Sequence, residues 1–95
     1  MKYVPFNYSG NKILIGKIVC IGQNYAKHAL ELGNEVPEFP LIFLKTATCM
    51  IHSGGEIVHP DYSEDLHHEI ELVIMIGEDV KHADDKQAEN AISGY

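Results

Sequence analysis

His67-His68-Glu69-Ile70-Glu71-Leu72-Val73-Ile74-Met75-Ile76 alternates with a period of two, the repeat of an extended strand. One face carries His68, Ile70, Leu72, Ile74 and Ile76, and the other carries His67, Glu69, Glu71, Val73 and Met75. From Leu72 onward both faces are apolar, so that end is expected to be buried on both sides. Glu69 and Glu71 then share a face, with side-chain bases roughly 7 Å apart. Two carboxylates so placed can converge on one divalent cation, and magnesium in particular takes oxygen ligands while keeping positions for water or substrate. The same spacing also arises on a solvent-facing edge strand, and among nine Glu about one Glu-x-Glu is expected by chance. Position favours the cation. Two like charges beside a buried segment repel unless compensated, and no Lys or Arg lies between Lys45 and Lys81. His67 shares the face, which leaves a His-plus-two-Glu site for a transition metal open. An all-oxygen site ranks above it, because His67 serves equally as a hydrogen-bonded neighbour.

Toward the N-terminus, residues 12–15 and 17–21 are rich in β-branched side chains and predict two strands, or one strand bent at Gly16. Asn24 is a fair N-cap for a short helix over residues 25–32, with Gly33 as its stop. Residues 34–40 contain two prolines and predict a loop. Residues 41–45 predict a strand, residues 52–55 a turn, and residues 56–59 a short strand ending at Pro60. Residues 61–66 predict a polar connection. Beyond the quoted run, residues 77–83 predict a polar turn. Asp84 and Gln87 have the spacing of a capping box for a helix over residues 85–93, with Ala88, Ala91 and Ile92 facing the core and Gly94 as C-cap. The order predicts an α+β fold, β-dominant, with two short helices. No closing strand is predicted after the second helix. Open strand edges are normally covered or paired, which suggests part of a larger fold or a chain that pairs with a second copy.

A chain of 95 residues sets an upper bound of one small domain, residues 1–95. Seven Lys, no Arg and fourteen acidic residues give a net charge of -7, a balance that argues against gripping nucleic-acid backbones or docking on an anionic membrane. No apolar stretch is long enough to span a bilayer, and residues 1–6 have no signal-peptide character. Cys20 and Cys49 make no disulfide framework and predict reduced thiols in a cytoplasmic protein. Acid is concentrated in the second half, as on a solvated surface or around a cation.

In Asn24-Tyr25-Ala26-Lys27-His28-Ala29-Leu30-Glu31-Leu32, His28 and Glu31 are three apart and share a helical face. A carboxylate beside an imidazole orients the ring and raises its basicity, as activation of a water requires. An exposed helical pair of no catalytic consequence has the same spacing. His52, His59, His68 and His82 have no comparable partner in sequence.

The run Gly16-Lys17-Ile18-Val19-Cys20-Ile21-Gly22-Gln23-Asn24-Tyr25-Ala26-Lys27-His28-Ala29 resembles the N-terminal signature of the fumarylacetoacetate hydrolase family, and of its small acylpyruvate hydrolases above all. Phe43-Leu44-Lys45 and Glu56-Ile57-Val58-His59-Pro60 are similar to two further family segments in the same order. Asp65-Leu66-His67-His68-Glu69-Ile70-Glu71-Leu72-Val73-Ile74-Met75-Ile76-Gly77 resembles the family's metal-binding strand, and Ala91-Ile92-Ser93-Gly94-Tyr95 the segment after the second helix. The resemblance implies the N-terminal part of a mixed β-roll, a Mg2+ or Mn2+ ion, a small 2-oxo acid substrate and a homodimer. It puts Glu69 and Glu71 on two of three metal carboxylates, and His28 and Glu31 on a catalytic pair in a short helix that closes over the site. The implied reaction is cleavage of a C–C bond in an acylpyruvate. His28, oriented by Glu31, activates a water, and the metal stabilises the departing pyruvate enolate. Oxaloacetate decarboxylation is the near alternative, since it needs the same chelation but no attacking water. A truncated, non-catalytic remnant is the other. Gln23 stands where many members carry an Arg that contacts a substrate carboxylate. Lys45-Thr46-Ala47-Thr48 stands where the family often reads Lys-Pro-Pro-Ser, with Lys45 toward substrate. The resemblance puts the third metal carboxylate, an Asp, just past Tyr95, so that the chain would cover about the first half of a small member.

Overall fold

Two apolar runs near the N-terminus, separated by Gly16, take different partners. In the computed structural model, which describes residues 3–5, 12–33 and 38–95, β1 (Tyr3–Pro5) pairs antiparallel with β2 (Lys12–Leu14), Tyr3 opposite Leu14. β3 (Ile18–Gly22) pairs instead with β4 (Leu41–Lys45), Ile18 opposite Lys45 and Gly22 opposite Leu41. Residues 12–21 are therefore two strands with separate partners, not one bent strand. β1 was not anticipated: its three residues end at a proline, which a strand tolerates at its edge.

The chain divides into two compact units, Met1–Val58 and His59–Tyr95. In the first, the β3–β4 ribbon has two faces. Val19, Ile21, Ile42 and Leu44 alternate onto one, and Ile18, Cys20, Gly22, Leu41, Phe43 and Lys45 onto the other. Gly22 is needed on the second face, where a Cβ would lie 3.1 Å from Leu41 Cδ2 and 3.4 Å from Phe43 Cε1. Helix α1 (Ala26–Glu31) is one residue shorter at each end than the sequence predicts. Gly33 stops it as expected, with φ +73° and its N–H donating to Leu30 O at 3.0 Å. Of the expected proline loop, residues 34–37 lie outside the described residues. A 3-10 turn, Ala47–Cys49, follows β4, and the turn at residues 52–55 forms with Gly55 N–H donating to His52 O at 2.9 Å. The strand expected at residues 56–59 is absent. Val58 is 84% exposed, and no described strand lies beside it.

The second unit corrects the reading of the quoted run. Only β5 (Met75–Ile76) forms a ladder, and residues 67–74 are in neither strand nor helix. Leu72 and Val73 are exposed rather than buried, and Ile70 is 95% exposed. Alternation sets which faces a strand presents, but a strand forms only where a neighbour supplies hydrogen-bonding partners. The partner of β5 is β6 (Ile92–Gly94), with Ile76 opposite Ile92, Met75 opposite Gly94 and a bulge between. Helix α2 (Asp85–Asn90) carries the expected capping box. Gln87 N–H donates to Asp84 Oδ1 at 2.8 Å, and Asp84 N–H donates to Gln87 Oε1 at 3.0 Å.

Its end differs from expectation. Ala91 closes the helix, and the residues expected to complete the helix and its cap, Ile92 to Gly94, are β6. β-branched Ile92 finds ladder partners there that a last helical turn would not give it. Ala91 is 1% exposed, the one buried apolar side chain among the described residues, whereas Ala88 is exposed. Among the described residues strands outnumber helices six to two, an α+β, β-dominant chain. Cys20 and Cys49 are free thiols. Among the described residues no helix is long and apolar enough to cross a membrane.

Candidate functional site

The β3–β4 ribbon positions the candidate residues of the first unit. Gln23 follows the last residue of β3, half-buried, at φ +53°. That left-handed conformation is uncommon for a side chain with a Cβ and costs on the order of 1 kcal/mol or more. It turns the chain directly from β3 toward α1, which carries His28 and Glu31 three residues apart. The backbone of His28 is helical, but its side chain lies outside the described residues; Glu31 is exposed. Lys45 ends β4, exposed, opposite Ile18 at the far end of the ribbon from Gly22. Four residue steps separate the two ends, ~14 Å along the strands. The ribbon therefore does not bring Gln23 and Lys45 together.

After Lys45 the chain presents a short polar relay that sequence reasoning did not single out. Thr46 Oγ1 and Thr48 Oγ1 are 2.7 Å apart, and Thr46 Oγ1 is 3.6 Å from Cys49 Sγ. The Thr48 hydroxyl is thus engaged with Thr46 at the 3-10 turn.

Glu69 and Glu71 are exposed and belong to the second unit. That unit carries ten acidic residues against two Lys, while the first carries five Lys against four acids. Two carboxylates in an electronegative segment are hard oxygen donors of the type that magnesium, manganese or calcium takes, and they would fill two of about six positions. Among the described residues no group of three or more His, Cys, Asp or Glu is assembled for a metal. His67 has a partner on its N-terminal side. Its Nε2–H donates to Asp65 Oδ1 at 2.5 Å. The partner, Asp65, was not foreseen. Its signal is the Asp-x-His spacing, which on an extended chain puts both side chains on one side.

Comparison with known proteins gives these pieces a common frame. Residues 17–95, which include all six candidate residues, match the family model described as fumarylacetoacetate (FAA) hydrolase C-terminal. The chain is 47% identical over 79 residues to the mitochondrial oxaloacetate tautomerase of Arabidopsis thaliana, covering 83% of this chain and 35% of that protein. It is 49% identical over 80 residues to the mitochondrial oxaloacetate decarboxylase of Dictyostelium discoideum, covering 83% and 37%. It is 38% identical over 81 residues to an oxaloacetate tautomerase of Escherichia coli, covering 85% and 37%. The chain thus spans little more than a third of the length of these relatives, less than the half that the resemblance implied. No solved structure matches it. With the family model matched over most of its length, and relatives approaching half identity, the chain belongs to the fumarylacetoacetate hydrolase family.

Proposed function

We propose that the protein works on the keto–enol chemistry of a short 2-oxo dicarboxylic acid of the oxaloacetate type, with a divalent cation, Mg2+ or Mn2+, held in part by Glu69 and Glu71. The observation that carries this reading is the agreement among relatives. Proteins named for oxaloacetate tautomerisation and decarboxylation match across more than four-fifths of the chain. Their names favour oxaloacetate over the acylpyruvate cleavage that the sequence pattern first suggests. The family generally uses divalent metals, and the two carboxylates suit such an ion. Electrostatics supports the same assignment. A substrate bearing two carboxylates is repelled by an acidic unit unless a cation stands between them.

A bound divalent cation supplies Lewis-acid polarisation of the 2-oxo carbonyl. The chain's own residues supply the rest. His28, oriented by Glu31, takes a proton from the carbon next to that carbonyl, and a proton is returned to the carbonyl oxygen. This is tautomerisation, and no atoms are gained or lost. Lys45 supplies a cationic contact for a substrate carboxylate, and Gln23, at the other end of the ribbon, an amide contact that requires the chain around it to close the ~14 Å the ribbon leaves between them. Gln23, an amide where many members have a guanidinium, gives the weaker one. The proposal includes a single β-roll domain and a homodimer in the cytoplasm, consistent with the exposed apolar strands.

The test is an assay of the full-length protein on enol and keto oxaloacetate, followed by ultraviolet absorbance, beside acetylpyruvate. Turnover of oxaloacetate that is lost with a chelator and restored by Mn2+ is the expected result. His28→Ala should slow tautomerisation by 10²-fold or more, the usual share of a general base, and slow decarboxylation less. Acetylpyruvate cleaved faster than oxaloacetate would return the assignment to hydrolysis. No turnover of either would leave a non-catalytic remnant.

A further inference from the structure

A left-handed residue flanks α1 on each side. After the helix stands Gly33 at φ +73°, the residue type such a position ordinarily takes. Before it stands Gln23 at φ +53°, where a Cβ makes the same conformation unfavourable. We infer that Gly22 and Gln23 form a stiff elbow that fixes the direction in which α1, and with it His28, leaves the β3–β4 ribbon. Gln23 is then a positioning residue through its backbone, apart from any contact its amide makes. The catalytic consequence rests on the role of His28 proposed above.

Glycine moves freely over a wide range of positive φ, whereas a residue with a Cβ is confined there to a small well at roughly +50° to +70°. Gln23 lies inside that well, so it gives up stability and gains a narrow backbone range. A strained conformation persists where its surroundings hold it. Here the ribbon does so. Gly22, the last residue of β3, is paired opposite Leu41. A Cβ on it would lie 3.1 Å from Leu41 Cδ2 and 3.4 Å from Phe43 Cε1, so the facing strand packs closely over the Gly22 backbone. Gln23 itself is half-buried. The elbow is thus anchored on its ribbon side, and the helix starts at Ala26 on the other. His28 lies five residues beyond Gln23. For a turn followed by helix that is roughly 8 Å, so a swing of about 10° at the elbow moves the His28 backbone by about 1 Å. A misplacement of that size can cost a reaction about 10²-fold.

The experiment compares Gln23→Gly with Gln23→Ala in the full-length protein. Both variants lose the amide, so any contact it makes with substrate raises KM equally in the two. Only Gln23→Gly also frees the backbone. Its kcat for oxaloacetate tautomerisation should be about tenfold below that of Gln23→Ala, at the same KM. Its urea midpoint should be equal or higher, because glycine relieves the left-handed strain. A residue of purely structural importance would lose stability and activity together. The 15N order parameters of the amides of residues 26–31 should fall in Gln23→Gly and not in Gln23→Ala, a readout that needs no turnover. Equal kcat in the two variants overturns the positioning role. So does a kcat loss in Gln23→Gly that comes with a lower urea midpoint. Unchanged order parameters overturn the stiff elbow. A parent protein that turns over no oxaloacetate removes the proposed chemistry and the catalytic role with it, while the order parameters still decide the elbow.

Discussion

Glu71 is the side chain on which the metal reading depends most directly. Glu69 and Glu71 are the only pair of carboxylates two apart in the segment that the family resemblance assigns to metal. If the two hold a cation as proposed, losing one removes about half of the charged donors in this region. Glu71→Ala should therefore abolish Mn2+ binding in a calorimetric titration, and unchanged binding would remove Glu71 from the site. Gly77 makes a different demand. Its N–H donates to Ala91 O at 2.8 Å, and a Cβ on it would lie 2.7 Å from Ser93 Cβ and 3.0 Å from Ser93 Oγ. Rotating Ser93 moves its Oγ but not its Cβ, so β6 itself must shift. Gly77→Ala should cost about 1–3 kcal/mol by overpacking. Ser93→Gly in the same chain should recover much of that loss in a urea melt. Equal stability of the single and double variants would show that the contact yields without strain.

At the scale of elements, α2 is six residues long with no buried side chain, too short to persist on propensity alone. Its reciprocal cap and the burial of Ala91 just beyond it carry the helix. Asp84→Ala should cost about 1 kcal/mol, seen as reduced helical ellipticity, whereas Asp84→Asn, which still accepts from Gln87 N–H, should keep most of it. The same loss in both would mean that the carboxylate charge matters more than the hydrogen bond. This cap was legible in the sequence because capping is local: Asp84 and Gln87 satisfy one another whatever surrounds them. The stop at Gly33, the turn at residues 52–55 and the pairing-competent runs of β3 and β4 were legible for the same reason. The quoted run was not. Its period of two describes two faces, but residues 67–74 belong to none of the described ladders. The end of α2 failed as well, because Ile92 to Gly94 became β6 through a contact with Met75–Ile76 some sixteen to nineteen residues back in sequence, which no local signal announces. The site shows the same division. Its residue types could be read locally, but the described structure does not bring them together. Gln23 and Lys45 lie at opposite ends of one ribbon, and the glutamates belong to the other unit.

For the whole molecule the governing observation is how little apolar surface is removed from water. Ala91 is the one buried apolar side chain among the described residues, and Val19, Ile21, Ile42 and Leu44, on one face of the β3–β4 ribbon, are each about half exposed or more. A ribbon with apolar side chains on both faces is the pattern of strands that lie inside a layered core, since a solvent-facing ribbon alternates apolar with polar. The relatives are consistent with such a core being larger than these residues, because the matched portion is 35–37% of their length. Folding free energy from burial scales with area, so these residues alone gain little of it, and two-stranded ribbons are marginal by themselves. A polypeptide limited to these 95 residues should therefore bind a dye that lights up on exposed apolar surface. Its urea unfolding should be shallow, with a slope below the ~1–3 kcal/mol/M of small cooperative domains. Dimerisation that covers the ribbon faces would reverse both signals as concentration rises, so the slope should steepen together with the appearance of a dimer in sedimentation. A steep transition in a dye-negative monomer would contradict this account. It would mean that the two units bury their apolar faces without help, and the exposed ribbon would then no longer support the β-roll or the homodimer.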